Sequence, residues 1–520
     1  MIKSTKAKLK FLTTALNIFL VIFIVSNSEA QNNSTSPYSR FGLGDMQSLG
    51  FAETDAMGTA SIAIHEPFNI NFSNPASYSS LKLTSLEFGA QSIFTKYSEN
   101  RFSSNTTNTS NISYVALAFP VIANTWGASF GLIPYSNVGY NISATGTTAN
   151  GDFINYLYSG SGGINQFYFG NAFNIFKGVS IGANISDLFG SIQRINTLEY
   201  PYMSNTYDTR NTNTVNVKDF AYRLGLIISI DSIKVDSAKY FGAKHKLKII
   251  SNTNESLVIT NSKDTIIIKN KVAEGHKSVV ISNSYEGISF SNSKDTLFIN
   301  NNFGKLKVDS IKYATPRIKI KSDHSFSIGF TSSLNTNVKA TSDSLVERYN
   351  YSGGSPFVFD TVNYSNEIKG VIKLPMTFGF GISYKQGMRL LLSADVAVAN
   401  WSQFTYFGIN DQYSNTLKVA AGAQIAPDLL KAKTFIGSIT YRFGAYYNKT
   451  FLNLNNTQVN DIGLTLGLGL PVFRSLSKIN LTLQVGQLGT LSNNLIREDY
   501  ARIVIGFSLA DKWFNKHKFE

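Results

Sequence analysis

From about residue 84 to the C-terminus, apolar and polar side chains alternate with a period of two. Ile503, Ile505, Phe507 and Leu509 interleave with Arg502, Val504, Gly506 and Ser508. Leu464, Leu466 and Leu468 interleave with Thr465, Gly467 and Gly469, and Phe378, Phe380 and Ile382 with Gly379, Gly381 and Ser383. Period two predicts strands with two unlike faces. One face stays apolar for about nine residues, the span of a tilted membrane strand. The other carries Gly, Ser, Thr and Asn, where a soluble sandwich would place Lys and Glu. The pattern predicts an all-β protein, a transmembrane antiparallel β-barrel of about 14 strands. Very short turns at 121–124, 176–177, 386–387 and 472–476 fall on one side, expected to be periplasmic. Polar stretches at 98–110, 141–162, 194–217 and 339–369 fall on the other, as expected for outer loops.

Two stretches break the alternation. Ala56 to Ala76 holds Ile62, Ile64, Phe68, Ile70 and Phe72, interrupted by Gly58, Pro67 and Pro75, with neither period. An irregular segment this apolar must bury itself, and the strands after it suggest a plug inside the barrel. The second break, Asp231 to Asp323, repeats with a period of 31: Asn261-Ser262-Lys263-Asp264-Thr265 returns as Asn292-Ser293-Lys294-Asp295-Thr296. Each unit offers three short β runs, such as Lys248–Ile250, Ser256–Ile259 and Thr265–Ile268. The expected organisation is a signal peptide at 1–30, a hatch at 31–82, barrel strands at 83–230 and 324–511, a periplasmic β insertion at 231–323, and a tail at 512–520. Lys3, Lys6, Lys8 and Lys10 precede an apolar run ending before Ser28-Glu29-Ala30, the pattern of a cleaved export signal. An N-terminal membrane anchor is the alternative reading.

Composition sharpens this picture. Charged residues are 15% and aromatics 13%, with 39 Gly and no Cys, a balance suited to aromatic girdles around a small-residue lumen. Without the four Lys and one Glu of residues 1–30 the formal charge of +14 becomes +11. The 231–323 insertion supplies +7 of it, from sixteen Lys/Arg against nine Asp/Glu. That module either docks an acidic periplasmic partner or is an insertion kept soluble by its lysines. Nucleic acid is not an expected partner of an exported chain without a recognition helix. His65, His245, His276, His324 and His517 form no metal-binding spacing, so neither catalysis nor a cofactor is expected.

Met57-Gly58-Thr59-Ala60 followed by Asn74-Pro75-Ala76, ahead of such a barrel, resembles the FadL-type transporters of the Gram-negative outer membrane. Gly131-Leu132-Ile133-Pro134-Tyr135, Leu374-Pro375-Met376 and Asp395 with Asn400-Trp401-Ser402 extend the resemblance over nearly the whole chain outside 231–323. It implies an outer-membrane channel, both termini periplasmic, for hydrophobic small molecules of the long-chain fatty acid or hydrocarbon type, drawn from or delivered to membrane lipid. Met57, Gly58, Phe68, Phe72, Asn74, Pro75 and Ala76 would belong to the hatch. Gly131, Pro134 and Tyr135 would mark a lateral opening at a kinked third strand. Pro134, which cannot donate to a ladder, would otherwise sit near the outer rim where strands end. The inward charges Glu87, Arg223, Asp395, Lys418, Arg442 and Arg502 would either line a ligand path or hold the hatch. The extra module, and His65-Glu66-Pro67 in place of an acidic run, depart from the family. Tyr38-Ser39-Arg40-Phe41-Gly42 is more similar to the branch containing the type IX secretion shuttle barrel. That branch implies the alternative function, a non-transporting scaffold or shuttle that binds envelope or secreted proteins.

Overall fold

The computed structural model describes residues 34–511 apart from 100–103, 150, 203–205, 353–354, 428–433, 435 and 473–475; within 236–319 it describes eight short strands. The proposed signal peptide and the 512–520 tail lie outside the described residues. The chain divides into two compact units, one formed by Met1–Asp231 with His324–Glu520 and the other by Ser232–Asp323.

The first unit is a closed antiparallel barrel of 14 strands, the number the alternation predicts. In chain order these are β1 (Thr84–Ser98), β2 (Ser104–Ile122), β3 (Trp126–Thr147), β4 (Phe153–Phe176), β5 (Val179–Glu199) and β6 (Asp208–Val235). Next come β7 (Ile320–Ser333 continued by Thr336–Ser352) and β8 (Ser355–Leu374 continued by Thr377–Gln386). The circuit ends with β9 (Leu390–Ala399), β10 (Thr416–Ile425), β11 (Thr440–Leu454), β12 (Thr457–Pro471), β13 (Lys478–Gly489) and β14 (Arg497–Asp511). β14 closes on β1 in unbroken register from Thr84 opposite Asp511 to Ser98 opposite Arg497. Closure of β14 on β1 leaves no first or last strand with a free edge in the bilayer, where no water could satisfy it.

The greasy face points outward. Leu464, Leu466 and Leu468 on β12 are exposed, as are Phe378, Phe380 and Ile382 on β8 and Phe167, Phe169 and Phe173 on β4. Exposed on a soluble protein, such a band would drive aggregation; around a barrel it is the hydrocarbon contact of an outer-membrane protein.

The expected outer loops are different from the reading above. At 104–110, 141–147, 153–162, 194–199, 208–217, 336–352 and 355–369 the ladders simply continue, so that β6 runs for 28 residues and β4 for 24. Once a strand leaves the bilayer both faces meet water, so the apolar stripe disappears while the backbone pairing persists. Alternation reports the environment, not the end of the strand. The ninth strand stops at Ala399; Trp401–Gln403 form a 3-10 turn that carries Trp401 inward onto Phe451, the rings stacked 4.0 Å apart.

In the second unit, Lys248–Thr253, Ser256–Thr260 and Thr265–Lys269 form one three-stranded antiparallel sheet. Ser282–Ser284, Gly287–Ser291 and Thr296–Ile299 form another, so each 31-residue repeat is one small meander.

Because Leu466 faces hydrocarbon, Leu466→Lys should cost about 2–4 kcal/mol near the bilayer midplane. Urea unfolding in lipid vesicles, compared with the lumen-side Thr465→Ser, measures it.

Candidate functional site: the luminal hatch and its wall contacts

Residues 34–82 lie inside the barrel and contain one helical turn, Ala52–Asp55, and two 3-10 turns, Pro37–Arg40 and Pro75–Ser80. Pro75 sits at the first position of its turn, where no amide is needed, and the Asn74 side chain caps the turn by accepting from Ala76 N–H at 3.1 Å. The rest is irregular, so its backbone groups need partners from the wall.

The inward charges supply many of them. Asp395 on β9 accepts from the amides of Ser61 and Ile62 at 2.5 and 2.8 Å. Glu87 on β1 accepts from Ile70 N–H at 2.8 Å. Arg442 on β11, fully buried, pairs with Glu53 and donates to Gln424 and Asn480 at 2.7 and 3.0 Å. Arg502 on β14 pairs with Asp55 at 2.9 Å, and Arg223 on β6 lies 5.4 Å from the Phe72 ring centre. Lys418 on β10 stands 6.0 Å from the Tyr446 ring centre. Glu87, Asp395, Arg442 and Arg502 thus bond to the hatch and Arg223 lies against its Phe72 ring, while Arg223, Asp395, Lys418 and Arg502 also line an open cavity. On the hatch itself, burial raises the Asp55 carboxyl above its ordinary value against the pull of Arg502. Burial likewise pushes Asp45 up to about 7, opposed by the Ser34 hydroxyl.

Polar wall residues do the rest. Thr465 on β12 accepts from Gly58 N–H at 2.9 Å and donates to the Ala56 carbonyl at 3.0 Å. Met57 is buried against Gly422 and Gly444, where a Cβ would meet hatch backbone. Gly58 has φ +67°, and a Cβ there would lie 2.6 Å from the Ala445 carbonyl oxygen, so no other residue fits. Phe72 packs on Tyr168 with ring centres 4.5 Å apart; Phe68 is half-buried, its carbonyl accepting from Ser85 at 2.6 Å. Asn74, Pro75 and Ala76 are buried against the wall, where Gly182 and Gly225 make room for them. Sequence reasoning passed over Glu53 and Asp55. Their signal was present: they are the only charges between Ser48 and Ile64.

Around Pro134 the wall changes partners. Among the described residues, β3 pairs with β2 only from Trp126 opposite Ile122 to Leu132 opposite Val115. Beyond Leu132 the vacated edge of β3 is taken by the hatch: Asp45 pairs with Asn137, Met46 with Ser136, and Gln47 N–H reaches the Tyr135 carbonyl at 3.1 Å. A bulge against β4 falls between Pro134 and Ser136. Pro134 is not at a strand end, since β3 continues to Thr147. Gly131 is buried at the last paired turn, 2.9 Å from the Tyr168 ring if given a Cβ. Ile112, Val115 and Leu132 beside the gap are exposed and apolar, so it opens at hydrocarbon level. A cavity of about 550 Å³ reaches it, lined there by Met46, Thr109 and Tyr135 and deeper by Ile62, Asp395, Lys418, Tyr446 and Tyr500.

The sequence matches the BamG family profile over residues 12–312 and 288–520. The chain belongs to the BamG family. A search of curated proteins by sequence returned no match. Among solved structures, this BamG-family barrel is similar to the Pseudomonas putida toluene transporter TodX, with 11% identity and a TM-score of 0.49 over 91% of this chain and 100% of that one. It is similar also to the CymD monoaromatic hydrocarbon channel (11%, 0.48, 92% and 100%) and to the Ralstonia pickettii toluene transporter TbuX (12%, 0.46, 90% and 99%). At these values the likenesses carry no argument, and the fold rests on the ladders described above.

Removing Arg442 leaves the Glu53 carboxylate buried without its partner, so Arg442→Met should cost about 3–5 kcal/mol and loosen the hatch, while Arg442→Met with Glu53→Gln should recover much of it. Protease cleavage within 34–82 of the reconstituted barrel reads the effect.

Proposed function

We propose that this BamG-family barrel is an outer-membrane channel for hydrophobic small molecules, gated by its hatch and releasing cargo sideways between β2 and β3. The observation that carries the reading is the β2–β3 ladder ending at Val115 and Leu132, with the luminal cavity reaching the gap at hydrocarbon depth. An apolar molecule gains nothing by entering the periplasm, whereas a side exit keeps it out of water. The cavity carries Asp45, Asp395, Asp461 and Glu498 against Arg223, Lys418 and Arg502. With no surplus of positive charge, it suits a neutral hydrocarbon better than a fatty-acid carboxylate. Both termini lie on the periplasmic side in this reading, as an even strand count allows.

A second reading has one observation in its favour. The outer part of β8, Ser355–Leu374, pairs with β7 along one edge; among the described residues its other edge is paired only near its inner end, where Ile372 and Lys373 meet Tyr406 and Thr405 and the Val371 carbonyl accepts from Phe407 N–H at 3.1 Å. Phe357, Phe359 and Tyr364 on it are exposed. A free edge with exposed aromatics favours protein contact by strand addition, the work of a scaffold. Removing 355–364 would then abolish co-purification of envelope proteins and spare uptake.

The channel reading is tested with radiolabelled toluene, chosen because TodX and TbuX are named for it. Cells producing the barrel should take it up faster than cells lacking it, and faster than they take up palmitate. The hydroxyls of Thr35 on the hatch and Thr107 on β2 lie 2.8 Å apart, and the chain has no Cys, so Thr35→Cys with Thr107→Cys brings two sulfurs within reach and can lock the hatch to β2. Oxidation should stop uptake and reduction restore it. Equal uptake with and without the barrel sinks the channel; equal uptake in both redox states sinks the gate.

A further inference from the structure

The hatch also bonds to the wall where β6 meets β7. The Asn74 carboxamide donates to the Leu226 carbonyl on β6 and the Phe330 carbonyl on β7, each at 3.2 Å, and to Ile62 O at 2.8 Å. Beside it the Thr331 hydroxyl donates to Leu224 O on β6 at 3.2 Å and to Ser73 O of the hatch at 3.3 Å. Carbonyls of two facing strands are thus tied to one hatch side chain as well as to the wall itself. An amide offers two hydrogens for these three acceptors; the bond to Ile62 O is the shortest, and the Leu226 and Phe330 carbonyls are held at longer range.

The wall is thin here. Gly225, Gly329 and Gly379 face the hatch from β6, β7 and β8, and a Cβ on them would meet Asn74, the Ile62 carbonyl and the Ile62 side chain. Just above, β7 is interrupted after Ser333 and β8 at Pro375-Met376, so two adjacent strands break at one level. On the outer surface of the same seam lies an apolar groove of about 400 Å³, formed by Leu224, Leu226, Phe330, Phe380 and Val396. Thr331, Phe378, Gly379 and Val398 line both this groove and the luminal cavity.

We propose that the β6–β7 seam is a second lateral port, through which a neutral apolar molecule passes between the luminal cavity and the bilayer, and that Asn74 is its latch. The port rests on the channel reading above. Its occupant is apolar because the groove opens among side chains that face hydrocarbon, and because the two spaces share Thr331, Phe378, Gly379 and Val398 as a common wall. When the hatch shifts, Asn74 leaves with it, and the seam loses bonds from both strands at once.

The test uses the full-length barrel in vesicles with benzoylphenylalanine at one site: Phe330 in the groove, Tyr446 in the cavity, or Phe443 facing lipid on β11 as the control. The probe is tritiated octylbenzene. The port predicts labelling at Tyr446, labelling at Phe330 above Phe443, and a further rise at Phe330 in Asn74→Ala, by roughly tenfold if the lost hydrogen bonds hold the closed state. Thr331→Val, which keeps the hatch asparagine, should raise it less and serves if Asn74→Ala does not fold. Labelling at Tyr446 with Phe330 equal to Phe443 in every variant overturns the port and leaves the channel standing. No labelling at Tyr446 overturns both.

Discussion

Every feature of this molecule follows from the need to satisfy backbone hydrogen bonds where water is absent. The barrel meets that need by closing β14 onto β1. Most of its hatch cannot, because outside three short turns and Asp45–Met46 it has neither helical nor sheet bonding and would leave amides and carbonyls bare. The wall therefore lends side chains: Asp395 and Glu87 receive hatch amides, while Thr465 both accepts from the Gly58 amide and donates to the Ala56 carbonyl. Within the hatch, Asn71 donates to the Ser61 and Ile64 carbonyls at 2.7 and 2.8 Å. The plug is held by polar contacts as well as by apolar packing such as Phe51 on Tyr114, and the polar contacts can be exchanged.

That choice of adhesive bears on function. A hatch seated only by apolar packing would be displaced by any apolar ligand that packs as well. Here the carboxylates Glu53 and Asp55 meet Arg442 and Arg502 at buried sites, so withdrawal of the hatch exposes charges that need new partners. The ion pairs are weak evidence for stability but strong constraints on register, since a shift of one residue leaves charges unpaired. By contrast, the hatch meets the wall through neutral hydrogen bonds at Asp45-Met46, which fills the open edge of β3, and at Asn74, which bonds carbonyls of the paired strands β6 and β7. Those are the weaker seams.

The strand segments within the bilayer were legible because their two faces meet two solvents, and a period of two records that. Leu464 to Gly469 is the clearest case. Beyond the bilayer the signal failed: Asn, Ser and Thr around 104–110 and 336–344 looked like loop, although their ladders continue unbroken in kind. Inward charges were recognisable as inward from their parity. Which of two roles they play was not, because the partners of Arg442 and Arg502 lie some four hundred residues away.

The amino-acid sequence by itself determined the strand count, the face each side chain presents, the irregularity of the hatch and the repeat that becomes two meanders in 248–299. All of these are local, carried by neighbours two residues apart or by one segment matching another. Only the tertiary structure decided that β2 and β3 part at Leu132, that the hatch strand fills the edge left behind, and that Asn74 bridges β6 and β7. Those depend on how a closed ring and an irregular peptide share a limited set of donors and acceptors, a balance no single stretch of sequence contains.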